Sequence, residues 1–373
     1  MKTMLILSFS DLKRDPRVFK QIEYFSKKLK VTTAGYNSSG LGDVQHIQIE
    51  SLKFDLLSKL RYLFYIFTFQ YRKALFCMPN IRQALSALSG SRFHYIVAND
   101  SYAWPVAFEI KHGAKIICDA HEYAPKEFED KLKWQLLFQK LNYFICKTYL
   151  PQADHVLTVG EKIAEEYVKE FGITKPIVIM NTPPYHELEP SPVIEGRLRM
   201  IHHGNAIRSR KIENMIEMMN HVDSRFELNL MLIESDAEYL DELRNTASAS
   251  GHKITFLTPV PMREIVHYIS QFDIGVYILE PISFNNRFAL PNKIFEFIQA
   301  RLAVAIGPSP EMAHLVHNFD LGWVAETFSP KDLALLLNLA SAAKVMELKQ
   351  STSKAAKILS FEQETLNFKA LNI

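Results

Sequence analysis

A chain of 373 residues is long enough for two domains at about 100–200 residues each, and 48% hydrophobic with 23% charged residues is an ordinary globular balance. A net charge of +2 excludes a general nucleic-acid binder, which carries a strongly basic domain. Three cysteines, Cys77, Cys118 and Cys146, show no paired spacing, which argues against a disulfide framework or zinc site and for a reducing compartment.

The apolar run at 4–7 is too short for a signal peptide. The densest one, 62–69, is far short of the ~20 residues that span a bilayer. The expectation is a cytoplasmic protein that does not cross a membrane.

In chain order, residues 4–8 read as a buried parallel strand. Asp15-Pro-Arg-Val18 reads as a helix start, with Asp15 as N-cap and Pro16 in the first turn. Strands are expected at 31–34, 95–98, 115–118, 155–159 and 177–180, with helices at 105–111 and 162–171. A stretch with four prolines in ten residues follows, at 183–192. It can be neither helix interior nor central strand, so 183–198 is expected to be a linker. Alternation then resumes, with strands at 200–203, 228–233, 254–257, 274–278 and 303–306. Helices fit 212–220, 237–248, 262–270, 292–300 and 330–343.

Strands alternating with helices of this length imply right-handed crossovers and parallel sheets covered on both faces. The expected fold is α/β, with two Rossmann-like domains whose parallel sheets face a central cleft. The expected bounds are 1–182 for the N-terminal domain, 199–355 for the C-terminal one and 356–373 for a closing helix. The one G-x-G, Gly40-Leu-Gly42, lies in a polar loop and opens no helix, which disfavours a dehydrogenase.

Three segments carry chemistry. In Leu290-Pro-Asn-Lys-Ile-Phe-Glu296, Lys293 sits where a helix dipole disfavours a cation unless an anion docks there. Glu296 shares its face three residues on, and its two acceptor oxygens suit a ribose diol. The same spacing also reads as a surface ion pair. In the segment 201–211, Gly204 follows a strand and lets backbone approach a ligand. Arg208, Arg210 and Lys211 cluster before a helix; the bland alternative is a solvated basic loop. In Cys118-Asp-Ala-His-Glu-Tyr-Ala-Pro125, Asp119, His121 and Glu122 stand at a strand's carboxyl end, where α/β proteins bind ligands. Asn99 and Asp100 end the preceding strand. On sequence alone, an ordinary polar loop accounts for them slightly better.

The chain resembles a GT-B glycosyltransferase, close to the family 4 type of bacterial surface-polysaccharide pathways. The resemblance rests on the ordered set Asp15-Pro-Arg-Val18, Asp119-Ala-His-Glu122, the 153–159 segment, Asn181 with its prolines, Gly204 with Arg210, Phe272-Asp-Ile-Gly-Val276, and Leu290 to Glu296. It implies a sugar transfer from a nucleotide-sugar to a glycan or lipid-linked acceptor hydroxyl, with retention of configuration.

It also implies roles: Glu296 on the donor ribose; Gly204, Arg210 and Lys293 on the diphosphate; Val260 at the nucleobase; Asn286 and Glu122 at the donor sugar; and His121 with Asp119 as catalytic residues. The first glutamate of the family's paired motif is Phe288 here, and the arginine that follows the strand glycine is Asn205. No metal or other cofactor is expected, since fixed cations meet the diphosphate. The aromatic and basic stretches 59–73 and 131–147 read either as core helices or as a contact with an anionic inner membrane surface. A sugar-nucleotide epimerase and a non-catalytic nucleotide-sugar-binding subunit are the rival readings.

Overall fold

A computed structural model describes residues 1–373. The chain forms two compact units. The first comprises Met1–Ile179, Ser283–Asn285 and Asn367–Ile373, and the second comprises Met180–Ile282 and Asn286–Leu366.

The first unit is built on seven parallel strands: β1 (Thr3–Ser8), β2 (Lys30–Gly35), β3 (Gln45–Gln48), β4 (Tyr95–Asn99), β5 (Lys115–Ala120), β6 (His155–Thr158) and β7 (Ile177–Val178). Their order in the sheet is β3-β2-β1-β4-β5-β6-β7. Met4 to Leu7 and Ile96 to Ala98 are essentially inaccessible, as strands covered on both faces must be. The order reverses between β1 and β4, the switch point where such sheets bind ligands. The polar segment 45–48 was not among the expected strands because an edge strand needs no continuous apolar run.

The second unit repeats the plan with β8 (Leu198–Ala206), β9 (Phe226–Glu234), β10 (Ile254–Leu257), β11 (Ile274–Tyr277), β12 (Ala303–Ile306) and β13 (Gly322–Val324). Their order is β10-β9-β8-β11-β12-β13, again all parallel. One apolar cluster includes Met200, Leu228, Leu230, Ile274 and Ala303. A second includes Ile201, Tyr277, Val304 and the inner side of the helix Asn292–Gln299.

The expected helix starts hold. Asp15 caps Pro16–Ser26 by accepting hydrogen bonds from the N–H groups of Arg17 and Val18. The single helix expected at 330–343 is instead two, Pro330–Asn338 and Ala342–Ile358. The Ser341 hydroxyl accepts from the Lys344 N–H and starts the second one, a capping role that its place inside an apolar pattern concealed.

The proline-rich segment is irregular but not loose. Arg301, fully buried, donates to the carbonyls of His186 and Leu188, and Gln299 accepts from the His186 N–H. At the other end of the chain, Phe368 packs on Tyr24 and Phe25, with ring centroids 5.0 and 5.3 Å apart. The last seven residues therefore count with the first unit.

Candidate functional site

In the second unit, β8 ends in a turn that closes at Arg208–Arg210. Gly204 has φ +126°, a conformation side chains rarely adopt. A Cβ placed on it would lie 3.5 Å from both the Arg210 guanidinium (Nη1) and the Lys293 amino group (Nζ). Two cationic heads thus bracket one point above a bare backbone. The Arg210 guanidinium makes no ion pair or hydrogen bond to the protein, whereas that of Arg208 is held by Asp236, Glu238 and Glu242. Of the two arginines in this turn, Arg210 is the one available to an anion.

Lys293 opens the helix Asn292–Gln299, whose N-terminus has no side-chain cap. It is 5% exposed, and the Glu296 carboxylate on the same helix acts to favour its charged form. Its amino group donates to His202 Nε2 at 3.2 Å and lies 3.8 Å from the centre of the Tyr277 ring. His202 is fully buried, and its Nδ1–H donates to the Val276 carbonyl at 3.0 Å. That bond fixes the tautomer and leaves Nε2 as the acceptor for Lys293. Burial, then the Lys293 charge, hold His202 well below the ordinary histidine range. Burial, then Arg210, push Lys293 well below the ordinary lysine range. Two buried bases and one half-buried guanidinium thus converge beside Gly204.

Glu296 lies one helical turn from Lys293, 13% exposed, with its Oε2 3.4 Å from His203 Nε2. His203 is displaced to about 3 by burial, then by Lys293 and Arg210, so it is neutral at physiological pH. The strand period of two sends His202 toward Lys293 and His203 toward Glu296. Gly204, Arg210, Lys293 and Glu296 therefore share one site. Val260 is half-buried in the loop after β10 and packs on the second apolar cluster. Asn286 is half-buried just beyond the Ser283–Asn285 segment.

In the first unit, His121 follows β5, the strand beside β4 of the switch point, and is 18% exposed. Its Nε2–H donates to Asn99 Oδ1 at 3.0 Å, and Asp100 Oδ2 lies 3.5 Å from Nδ1. Glu122 is exposed beside it.

Asp119 differs from its expected place. It is fully buried. Arg17 grips both its oxygens, Nε to Oδ2 at 2.8 Å and Nη2 to Oδ1 at 2.7 Å, and Gln21 adds a short bond to Oδ2. Burial alone would raise its carboxyl; the Arg17 charge, then His121 and the hydrogen bonds, outweigh it and hold the group below the usual range. It presents no face to a substrate. With Oδ2 3.8 Å from His121 Nε2, it supports the histidine from beneath rather than reacting.

The sequence reading missed His202, Tyr277 and the bracket made by Asn285, which accepts from the Tyr123 N–H at 2.8 Å and donates to the Tyr123 carbonyl at 3.2 Å. The two adjacent histidines before Gly204 were a visible signal, since alternation along a strand assigns them to opposite faces.

Residues 43–183 match the model of Glycosyltransferase Family 4. Solved structures match nearly the full chain. HepE of Anabaena, solved with UDP and glucose, is 12% identical, with 99% of this chain and 100% of that one covered and a TM-score of 0.71. A TarM variant of S. aureus, solved with fondaparinux, alpha-GlcNAc-glycerol and UDP, is 10% identical over 100% and 99% of the two chains, with a TM-score of 0.72. WaaG, a glycosyltransferase involved in lipopolysaccharide biosynthesis, is 12% identical over 99% and 98%, with a TM-score of 0.66. No curated protein sequence matches the chain. The fold is GT-B, two Rossmann-like domains in one chain. The match to the family model, over 43–183, covers less than half of the chain.

Proposed function

We propose that the chain moves a sugar from a nucleoside-diphosphate sugar to a hydroxyl of a glycan or lipid-linked acceptor, with retention, in cytoplasmic synthesis of a surface polysaccharide. The observation that carries this reading is the convergence of Arg210 and Lys293 over Gly204, with Glu296 one turn away.

The departing diphosphate gains charge as the glycosidic bond breaks. Preorganised cations and an uncapped helix N-terminus stabilise that charge without reorganising. A docked diphosphate would also reverse the depression of Lys293. Glu296 accepts from the ribose hydroxyls, and Val260 meets the base through its backbone. UDP in the HepE and TarM structures makes uracil the base of choice. Asn286 and Glu122 are assigned to the donor sugar, and His121 to the region of the reacting carbon, with Asp119 positioning it. Arg210 and Lys293 do the work that a metal does elsewhere, so the reading expects no metal cofactor.

A peripheral membrane contact is part of the same reading. On the helix Leu56–Phe67, Leu56, Leu57, Phe64 and Phe67 are exposed beside exposed Lys59 and Arg61. Leu132 and Leu136 are exposed as well. Apolar side chains among bases suit an anionic lipid surface, while no helix is long and apolar enough to cross a membrane.

Thermal denaturation with nucleoside diphosphates tests the core of the proposal, because a ligand that binds only the folded state raises apparent stability. UDP and a UDP-sugar should raise Tm, and Glu296→Ala should remove most of that rise. If no nucleoside diphosphate shifts the transition, the proposal fails.

A further inference from the structure

The first unit contains a cavity of about 450 Å³ at the carboxyl ends of β1, β4 and β5. Aromatic rings line it, among them Tyr36, Tyr102, Trp134 and Phe138. Its ionisable groups are one-sided. The carboxyls of Asp100, Glu122 and Glu127 and the imidazole of His121 line it, and no lysine or arginine does. The phosphate-seeking cations of the second unit have no counterpart here.

This composition selects its occupant. The C–H faces of a sugar ring pack on aromatic rings, and its hydroxyls donate to carboxylates, which only accept when ionised. A phosphate or uronate would lose hydration among like charges with no cation to replace it. Glu127 shows how crowded the negative charge already is: burial, then Glu122 and Asp100, push its carboxyl up to about 8.

From this lining we infer that the cavity is the acceptor subsite and takes an uncharged sugar ring, its carboxylates rejecting phosphorylated and uronic sugars. The inference rests on the transferase reading and adds the charge class of the acceptor to it.

Calorimetric titration of the full chain, saturated with UDP, tests it. The probes are methyl glycosides of glucose, galactose, mannose and N-acetylglucosamine, each beside its 6-phosphate or uronate counterpart. At least one uncharged glycoside should bind, and its anionic counterpart should bind at least about tenfold more weakly, or ~1.4 kcal/mol. Glu122→Gln, which removes an ionised carboxylate from the lining, should narrow that gap mainly by improving the anion, and Trp134→Ala should weaken the uncharged sugar. An anionic sugar that binds as well as its neutral counterpart overturns the inference. So does the failure of every uncharged glycoside while UDP still binds, a result that leaves the transferase reading intact. Failure of UDP as well would remove both.

Discussion

Lys293 depends on His202 for its direction. A lysine has four rotatable bonds and, without a partner, would spread over many rotamers. Here one fixed imidazole nitrogen and one ring face hold its amino group beside Arg210. Replacing the acceptor, as in His202→Leu, removes a hydrogen bond to a group that is charged when a diphosphate is bound, worth ~1.5–3 kcal/mol. UDP affinity should fall about tenfold or more, while uridine, which has no phosphate, should bind unchanged. Calorimetry with both ligands checks this, and equal losses for both would make His202 merely structural.

Two groups, one in each unit, give pH effects of opposite sign. His203 is depressed to about 3 in the fold, against ~6.5 in an unfolded chain. The stability it contributes is complete above about pH 6.5 and is lost as pH falls toward 3, because the unfolded form takes up the proton first. Glu127 is raised to about 8, so its contribution is complete at low pH and is lost as pH rises through 8. Urea denaturation across pH should show His203→Gln flattening the acid limb and Glu127→Gln flattening the decline toward alkaline pH. At this scale the sequence displayed Lys293, Glu296 and Arg210 as cations and a carboxylate at helix entrances. It did not display the His202 bond, which depends on which face of β8 each histidine takes.

Among elements, the helix Asn292–Gln299 matters most, because Lys293 and Glu296 ride on it. Its approach to the sheet is set by Gly275 in β11. An added Cβ there would lie 2.3 Å from the Phe297 ring, closer than a real carbon can sit. Gly275→Ala must push the helix outward or force Phe297 from its rotamer, at a cost of ~1–3 kcal/mol typical of overpacking. Urea unfolding should register the loss, and UDP affinity should fall with it; unchanged UDP binding would show that the helix position is not critical.

The alternating pattern of elements was legible because apolar runs and helix-start residues agree along most of the chain. Boundaries were less so. Ser341 looked like part of one long helix because its role is a hydrogen bond to Lys344, which pattern alone does not reveal. The polar strand β3 was silent because nothing apolar marks it.

Across the whole molecule, the first six strands of each unit follow the same order, with β7 added in the first, yet the two switch points are chemically opposite. One presents Arg210, Lys293 and Gly204, and the other three carboxylates and a histidine among aromatic rings. The proposed placement of the anionic donor in the second unit and of an uncharged acceptor in the first rests on that asymmetry. The sequence showed both charge sets but not the Arg17–Asp119 pair, whose partners stand 102 residues apart. A buried carboxylate already gripped by arginine is indistinguishable from a catalytic one when only the chain order is known.

Hydrogen exchange of the full chain, with and without UDP, tests the donor assignment most directly. Protection should appear in the backbone amides of 201–212 and 290–300, the two segments that carry Gly204, Arg210, Lys293 and Glu296. Protection confined to residues 1–179, or none at saturating UDP, would contradict it.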